Sequence, residues 1–200
     1  FRTPNHDFCL VGDALVKSAF ITGVNGFVGA HLCAHLASKG YAVSGVDTAE
    51  SASVSGITYA KVDIRDSEGL AGQIDRAGPG EVYHLAGVSF PPDADLSPRN
   101  ALEVNMLGAI GLLDAVRRAK PDAVTLLVGS SKEYSAADDG EPVDESRPLS
   151  PTSFYGISKY AAELIGLQYM RQFGLDVRFS RSFNHTGPGQ SPRFVCSDWA

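Results

Sequence analysis

SAFITGVNGFVG (18–29), running on through AHLCAHLASKGYAVSGVD to Asp47, decides how this chain folds. SAFIT is a short apolar run of strand type, and TGVNGFVG places glycines at 23, 26 and 29 where a strand must turn into a helix. Gly23 permits the tight turn, Gly26 lets the backbone approach a pyrophosphate, and Gly29 lets the helix pack closely on the strand. The N–H groups of Asn25, Phe27 and Val28 border the same turn, where a helix N-terminus carries partial positive charge. A second strand, YAVSGVD, then ends on Asp47, 24 residues after Gly23. An acid there accepts hydrogen bonds from an adenosine ribose 2′-OH and repels a 2′-phosphate. The expected cofactor is therefore NAD(P)H, with NAD(H) favoured by Asp47. The plain alternative is a tight turn followed by a surface aspartate.

Outward from this unit the pattern repeats. ITYAKV (57–62), EVYHLA (81–86), AVTLLVG (123–129) and DVRFSRS (176–182) read as further strands. SEGLAGQIDRAG, RNALEVNMLGAIGLLDAVRRAK and FYGISKYAAELIGLQYMRQFG are helices at 3.6-residue spacing, as is GFVGAHLCAHLASKG. Alternation of this kind implies right-handed crossovers onto a parallel sheet covered on both faces: a doubly wound α/β domain over 18–182. Residues 1–17 are set aside as an extension or tag, because the chain starts at Phe1. Residues 183–200 read as the start of a further, substrate-binding segment. One long polar loop, SAADDGEPVDESRPLSP, precedes the last helix. Asp63-Ile64, ending the third strand, is placed to close over an adenine, or Asp63 is a cap.

Composition narrows the partners. A net charge of −6 without a basic run argues against nucleic acid and acidic membrane surfaces. No apolar run reaches the ~18–20 residues of a membrane span. Cys9, Cys33 and Cys196 are widely spaced and odd in number, which supports neither a disulfide framework nor a zinc site. A small-molecule partner and a cytoplasmic setting fit best.

Chemistry enters with Tyr155 and Lys159 in SFYGISK. On a helix, residues four apart share a face, so an ammonium can favour ionisation of a phenol. Isolated, the spacing is equally that of a packed tyrosine and a solvated lysine. Ser130 and Ser131 follow the fifth strand in LLVGSSKEYS. In a doubly wound sheet, that is the end where ligands bind, although a serine pair there is also ordinary turn chemistry.

Together, TGVNGFVG, Asp47, Asp63-Ile64, HLAG (84–87), GSSKEY and YGISK resemble the extended short-chain dehydrogenase/reductases that act on nucleotide sugars, a Rossmann-fold family. The segment RSFNHTGPGQSPRFV resembles the GDP-mannose branch. The resemblance covers about Lys17 to Ala200. It implies reduction of the C4 keto group of a GDP-4-keto-6-deoxy-mannose type of substrate, giving a GDP-rhamnose type of product. Tyr155 would be the proton donor, Lys159 would bind the nicotinamide ribose and keep the tyrosine acidic, and Ser130 would polarise the carbonyl. By the same resemblance Leu85, Ala86 and Gly87 lie along the cofactor. Ser89, Ser131, Lys132, Glu133 and Asn184 fall on the substrate side, with Asn184 at the diphosphate. Asn105 matches an asparagine common in the family, or is a buried helix asparagine satisfying backbone. His84 and His185 read as structural.

Two departures qualify the reading. Related 4,6-dehydratases carry an acid two positions after the hydroxyl residue, where this chain has Lys132, so elimination is disfavoured while 4-epimerisation stays open. Members of the family also continue for roughly another hundred residues as a smaller C-terminal substrate domain, largely missing here. A truncated, non-catalytic dinucleotide-binding module is therefore the alternative of another class. The resemblance further implies a homodimer paired through the Asn105 and Tyr155 helices. Ala161, Leu164, Ile165 and Leu167 would serve that contact or the core.

Overall fold

The computed structural model describes residues 17–135 and 142–194. Residues 1–16, which hold Cys9 and most of the expected extension, lie outside the described residues. So do 136–141 of the polar loop and 195–200 with Cys196.

Six strands form one all-parallel sheet in the order β3-β2-β1-β4-β5-β6: β1 Ser18–Thr22, β2 Ala42–Asp47, β3 Thr58–Lys61, β4 Glu81–His84, β5 Val124–Val128 and β6 Val177–Ser180. This is the doubly wound order of a Rossmann fold. The direction of winding reverses between β1 and β4, so a crevice opens at their carboxyl ends. Helix α1, Phe27–Ser38, joins β1 to β2; α2, Ser67–Ala77, joins β3 to β4. Between β4 and β5 come α3 Pro91–Leu96, α4 Pro98–Leu102 and α5 Gly108–Ala119; α6, Phe154–Phe173, leads into β6.

The strands divide their side chains between two cores. Phe20, Val82 and Leu127 face α2, α5 and α6 and join Leu70, Ile74, Leu112, Leu113 and Val116 in the larger cluster. Ala19, Ile21 and Val43 face the other way and pack with Cys33 and Leu36 of α1. Among the described residues the two faces of β5 are buried to different degrees. Ile21 pairs Tyr83 and Tyr83 pairs Leu126, so Leu126, with Val124 and Val128, lies on the α1 side. Helix α1 packs on β1 and β2, and these three residues stay only half-buried while Thr125 and Leu127 are fully buried.

The long fourth helix is not continuous. Residues Glu103–Leu107 form a π-helical turn between α4 and α5. Such turns let a helix project a side chain that regular spacing would not, and they recur at functional sites. Helix α3 was hidden by its polar PPDADL sequence, six residues being too few to show a period; Pro91 and Pro92 occupy its first turn, where a missing N–H costs nothing.

Candidate active site

The glycine turn is built as the spacing predicts. Gly23 has φ +76°, a conformation that strongly favours glycine, and a Cβ there would meet Ala86 N at 2.8 Å. A Cβ on Gly29 would drive into the Gly23 carbonyl, so the close approach of α1 to the turn requires hydrogen at that position. Gly26 is the N-cap of α1 and supplies no side-chain cap, which leaves the first-turn N–H groups around Phe27 and Val28 for an anion. The Asp47 carboxylate accepts from the backbone N–H of Asn25 (3.1 Å), Thr48 (2.8 Å) and Ala49 (3.4 Å). It therefore ties the second strand end to the glycine turn while keeping acceptor capacity for a hydroxyl. Asn25 adds a second tie, its side chain accepting from Ser53 N and donating to Ser51 O. These features form a cradle that fits a dinucleotide pyrophosphate and ribose.

Asp63 and Ile64 behave differently from each other. The Asp63 carboxylate accepts two bonds from the Arg65 guanidinium, which holds its pKa below the ordinary value. The Ile64 side chain turns into the core, where Gly108 makes room for it, while Gly111 makes room for the Ile64 carbonyl. Any contact of Ile64 with an adenine would have to come from its backbone.

Across the crevice, the segment that follows β4 is pinned by side chains. Thr22 Oγ1 accepts from Ala86 N (3.2 Å) and meets His84 Nδ1 at 2.8 Å. His84 is buried, and burial with the nearby Lys159 charge pushes its pKa down to about 3, so it is neutral and shares one hydrogen bond with Thr22 whose direction follows the ring tautomer. This accords with the structural reading of His84. Asn105, projected by the π-helical turn, accepts from Val88 N (2.8 Å) and donates to Val88 O (3.1 Å) and Ser158 Oγ (2.9 Å). Ser158 in turn donates to the Tyr155 carbonyl (2.7 Å). One buried amide thus locks the Leu85-Ala86-Gly87 segment to α6.

Tyr155 lies in the first turn of α6, whose N-cap Ser153 accepts from Gly156 N. Tyr155 is 8% exposed, and its phenol lies within hydrogen-bonding reach of the Ser130 hydroxyl. Burial raises its pKa above the ordinary tyrosine value, the Ser130 bond works against that rise, and the Glu133 charge adds to it. Lys159 shares the helix face but not the phenol: its Nζ donates to the Val128 carbonyl (3.0 Å), and burial lowers its pKa to about 8. In this conformation the ammonium is held by the Val128 carbonyl, and burial, Ser130 and Glu133 are the causes acting on the phenol. The long arm of Lys159 reaches past the tyrosine to the end of β5, beside Gly87.

The five residues expected on the substrate side separate. Ser89 is exposed and lines a cleft of about 530 Å³ with Phe90, Asp93, Arg193 and Phe194. Arg193 closes one side of it, paired with Asp93 and stacked over Phe90 at 4.3 Å. Ser131 and Lys132 sit in a 3₁₀ turn with Glu133, Lys132 exposed, and Asn184 is exposed on the segment after β6. Glu133 does not face that cleft at all. It is fully buried, and its Oε1 accepts from Ser130 N at 2.6 Å while Ser130 Oγ accepts from Lys132 N. As the last residue of a three-residue turn it points back under the strand end, where Gly129 leaves room for it. His185 stacks parallel on Phe27 at 6.2 Å, and His31 bonds Pro188 O, so the segment after β6 rests against α1.

Sequence reasoning missed Thr22, Ser158, Glu163 and Arg181. Only Glu163 carried a signal, as the third member of the four-residue series Tyr155, Lys159, Glu163. Among the described residues no group of acidic, histidine and cysteine side chains could hold a metal, and no helix is long and apolar enough to cross a membrane.

Comparison with known proteins agrees with this geometry. Residues 19–200 match the model of the NAD dependent epimerase/dehydratase family. The chain is 32% identical over 187 residues to a GDP-6-deoxy-D-mannose reductase of Pseudomonas aeruginosa, covering 93% of this chain and 58% of that one. It superposes on dTDP-glucose 4,6-dehydratase DesIV of Streptomyces venezuelae with NAD bound at a TM-score of 0.83, with 27% identity, over 92% of this chain and 61% of that one. It superposes on RMD of Pseudomonas aeruginosa complexed with NADPH at 0.76, with 31% identity, over 90% and 57%. The chain thus spans about three fifths of the length of these relatives.

Proposed function

The chain belongs to the NAD dependent epimerase/dehydratase family, and from that premise we propose that it is the cofactor-binding and catalytic part, residues 18–182 with the start of a substrate segment from 183, of an NAD(P)H-dependent reductase. Its substrate is the C4 keto group of a nucleotide-activated 6-deoxy sugar, GDP-linked by the resemblance of 181–195. The observation that carries this reading is the Ser130–Tyr155 pair at the carboxyl end of β5, facing the glycine cradle across the switch point.

The Gly23–Gly29 turn and the free N–H groups of α1 would hold the pyrophosphate, Asp47 the adenosine ribose, and Lys159 with the Leu85–Gly87 backbone the nicotinamide end. When bound, the reduced cofactor supplies the hydride. Ser130 donates a hydrogen bond to the substrate carbonyl oxygen, and that bond strengthens as negative charge builds there. Tyr155 protonates the forming alkoxide, a role suited to a phenol whose pKa burial raises. Lys159, a cation at neutral pH with its pKa near 8, can swing from the Val128 carbonyl to a ribose hydroxyl and then refill the phenol's proton through it.

Reduction is favoured over 4,6-elimination because no free carboxylate lies in the Ser130–Tyr134 segment. Lys132 stands at the position of the acid, and Glu133 is buried behind the strand. The test is to mix the protein with NADH or NADPH and a GDP-4-keto-6-deoxy sugar and follow loss of nicotinamide absorbance. Turnover that falls about 10²–10⁴-fold in Tyr155→Phe supports the reading. Cofactor binding without turnover, unchanged by that substitution, would leave a dinucleotide-binding module instead.

A further inference from the structure

Tyr155, Lys159 and Glu163 follow one another at four-residue spacing down one face of α6, and only the first two have work in the proposed reaction. Glu163 ends the row beneath the carboxyl end of β5, where it meets Glu133. Arg181, just past β6, donates to both Glu163 oxygens, Nε at 3.0 Å and Nη2 at 2.6 Å. Its remaining nitrogen donates to the Tyr134 hydroxyl at 3.2 Å and the Glu145 carbonyl at 3.4 Å. Each guanidinium nitrogen is thereby engaged, and its approach to Glu133 Oε2 is 4.0 Å. Lys159, the other cation nearby, gives its ammonium to Val128.

Glu133 Oε2 is consequently buried with no hydrogen-bond partner, one of two such side-chain atoms among the described residues. A buried carboxylate oxygen left unpaired beside a second carboxylate is a costly arrangement. Protonation removes the cost: Glu163 lies within hydrogen-bonding reach of Glu133 and can accept from a protonated carboxyl, while Oε1 still accepts from Ser130 N. We propose that Glu133 carries a proton shared with Glu163, and that this carboxyl pair, braced by Arg181, is a positioning device that holds Ser130 against Tyr155. Glu133 is a positioning residue and touches no substrate.

The surroundings agree. Burial is the main cause raising the Glu133 pKa to about 7, with Glu163 adding to the rise and Arg181 and the Ser130 N–H opposing it. His84, Tyr134, Tyr155 and Lys159 are the other titratable groups around the pair, and each is itself held by a hydrogen bond. The device is also written into the backbone: a Cβ on Gly129 would collide with Glu133 Oε1 and approach Ser180 O at 2.7 Å, so residue 129 must be glycine for the carboxyl to reach Ser130. Losing the proton sets two carboxylates side by side and loosens the turn that carries Ser130.

This inference rests on the reductase reading for its kinetic consequences but not for its chemistry, so two measurements separate them. Infrared difference spectra of the protein with carbon-labelled glutamate should show a carboxylic-acid C=O band in mildly acidic buffer. The band should fade as pH rises through about 7 and be missing from Glu133→Gln. In turnover, Glu133→Ala should lower kcat on the order of tenfold to a hundredfold through displaced Ser130, with KM for the cofactor little changed. Glu133→Gln keeps a neutral donor and acceptor, so it should recover most of that loss and flatten the kcat profile across neutral pH. If Glu133→Ala does not fold, the Gln variant and the infrared band still decide. Absence of an acid band below neutral pH, a band that survives in Glu133→Gln, or a Gln variant with an unflattened profile would overturn the proposal. A wild-type chain with no reductase activity fails the reductase reading alone, because the acid band is then still expected.

Discussion

Asp47 shows how much one side chain is asked to do. Its carboxylate accepts three backbone N–H groups that shape the turn, and under the proposed function the same group selects between cofactors. Replacing it by asparagine keeps one acceptor oxygen and removes the charge that repels a 2′-phosphate. Asp47→Asn should therefore shift the ratio of NADPH to NADH dissociation constants toward NADPH by about tenfold, roughly 1.4 kcal/mol. Fluorescence titration with each cofactor checks this, and an unchanged ratio would show that Asp47 serves only the turn.

Between elements, a few buried polar groups hold the site in register. Asn105 connects the loop after β4 to α6 through three hydrogen bonds, and it reaches them because the π-helical turn rotates it inward. Asn105→Ala leaves the Val88 N–H and C=O without these partners. The expected cost is about 1–3 kcal/mol, read as a lower urea midpoint with an unchanged m-value. Cofactor affinity should weaken with it, since Leu85, Ala86 and Gly87 lose their anchor. A variant with unchanged stability would mean that water replaces the amide fully.

For the molecule as a whole, two buried titratable groups set opposite pH slopes. His84 has its folded pKa lowered from 6.5 to about 3, so its contribution is complete above 6.5 and is lost as pH falls through the acid range. Glu133 has its pKa raised from 4.5 to about 7, so its contribution is complete below 4.5 and is lost as pH rises through about 7. Stability measured by denaturation should show His84→Gln flattening the acid limb and Glu133→Gln flattening the neutral limb. Assembly is argued at the same scale. Ile157 and Leu164 are exposed on α6, Leu164 at 48%, and Leu107 is exposed beside them on the π-helical turn. We propose that this stripe pairs two copies of the chain. Leu164→Glu should convert a dimer to a monomer in sedimentation, whereas a wild type already monomeric would remove the idea. Of the residues weighed for this contact, Ile165 instead packs on the core.

The order of elements, the glycine turn, Asp47 and the Tyr155–Lys159 spacing were legible in the sequence because they follow from local rules: strand and helix periods, positive φ at glycine, and helix geometry over one turn. The roles that contact demands were not. Glu133 reads as a substrate-side acid in GSSKEY, and only the packing of β5, α6 and the chain after β6 turns it inward toward Glu163 and Arg181. Lys159 sits on the tyrosine's helix face by sequence, yet where its arm ends depends on a carbonyl 31 residues away. Leu126 and Leu127 are identical to any hydropathy scale, and the sheet buries Leu127 in the cluster with α5 and α6 while Leu126, on the opposite face, is half-buried among the described residues. Local geometry is encoded within a few residues, whereas burial and charge pairing are set by segments distant in the chain, and those decided how this site is held.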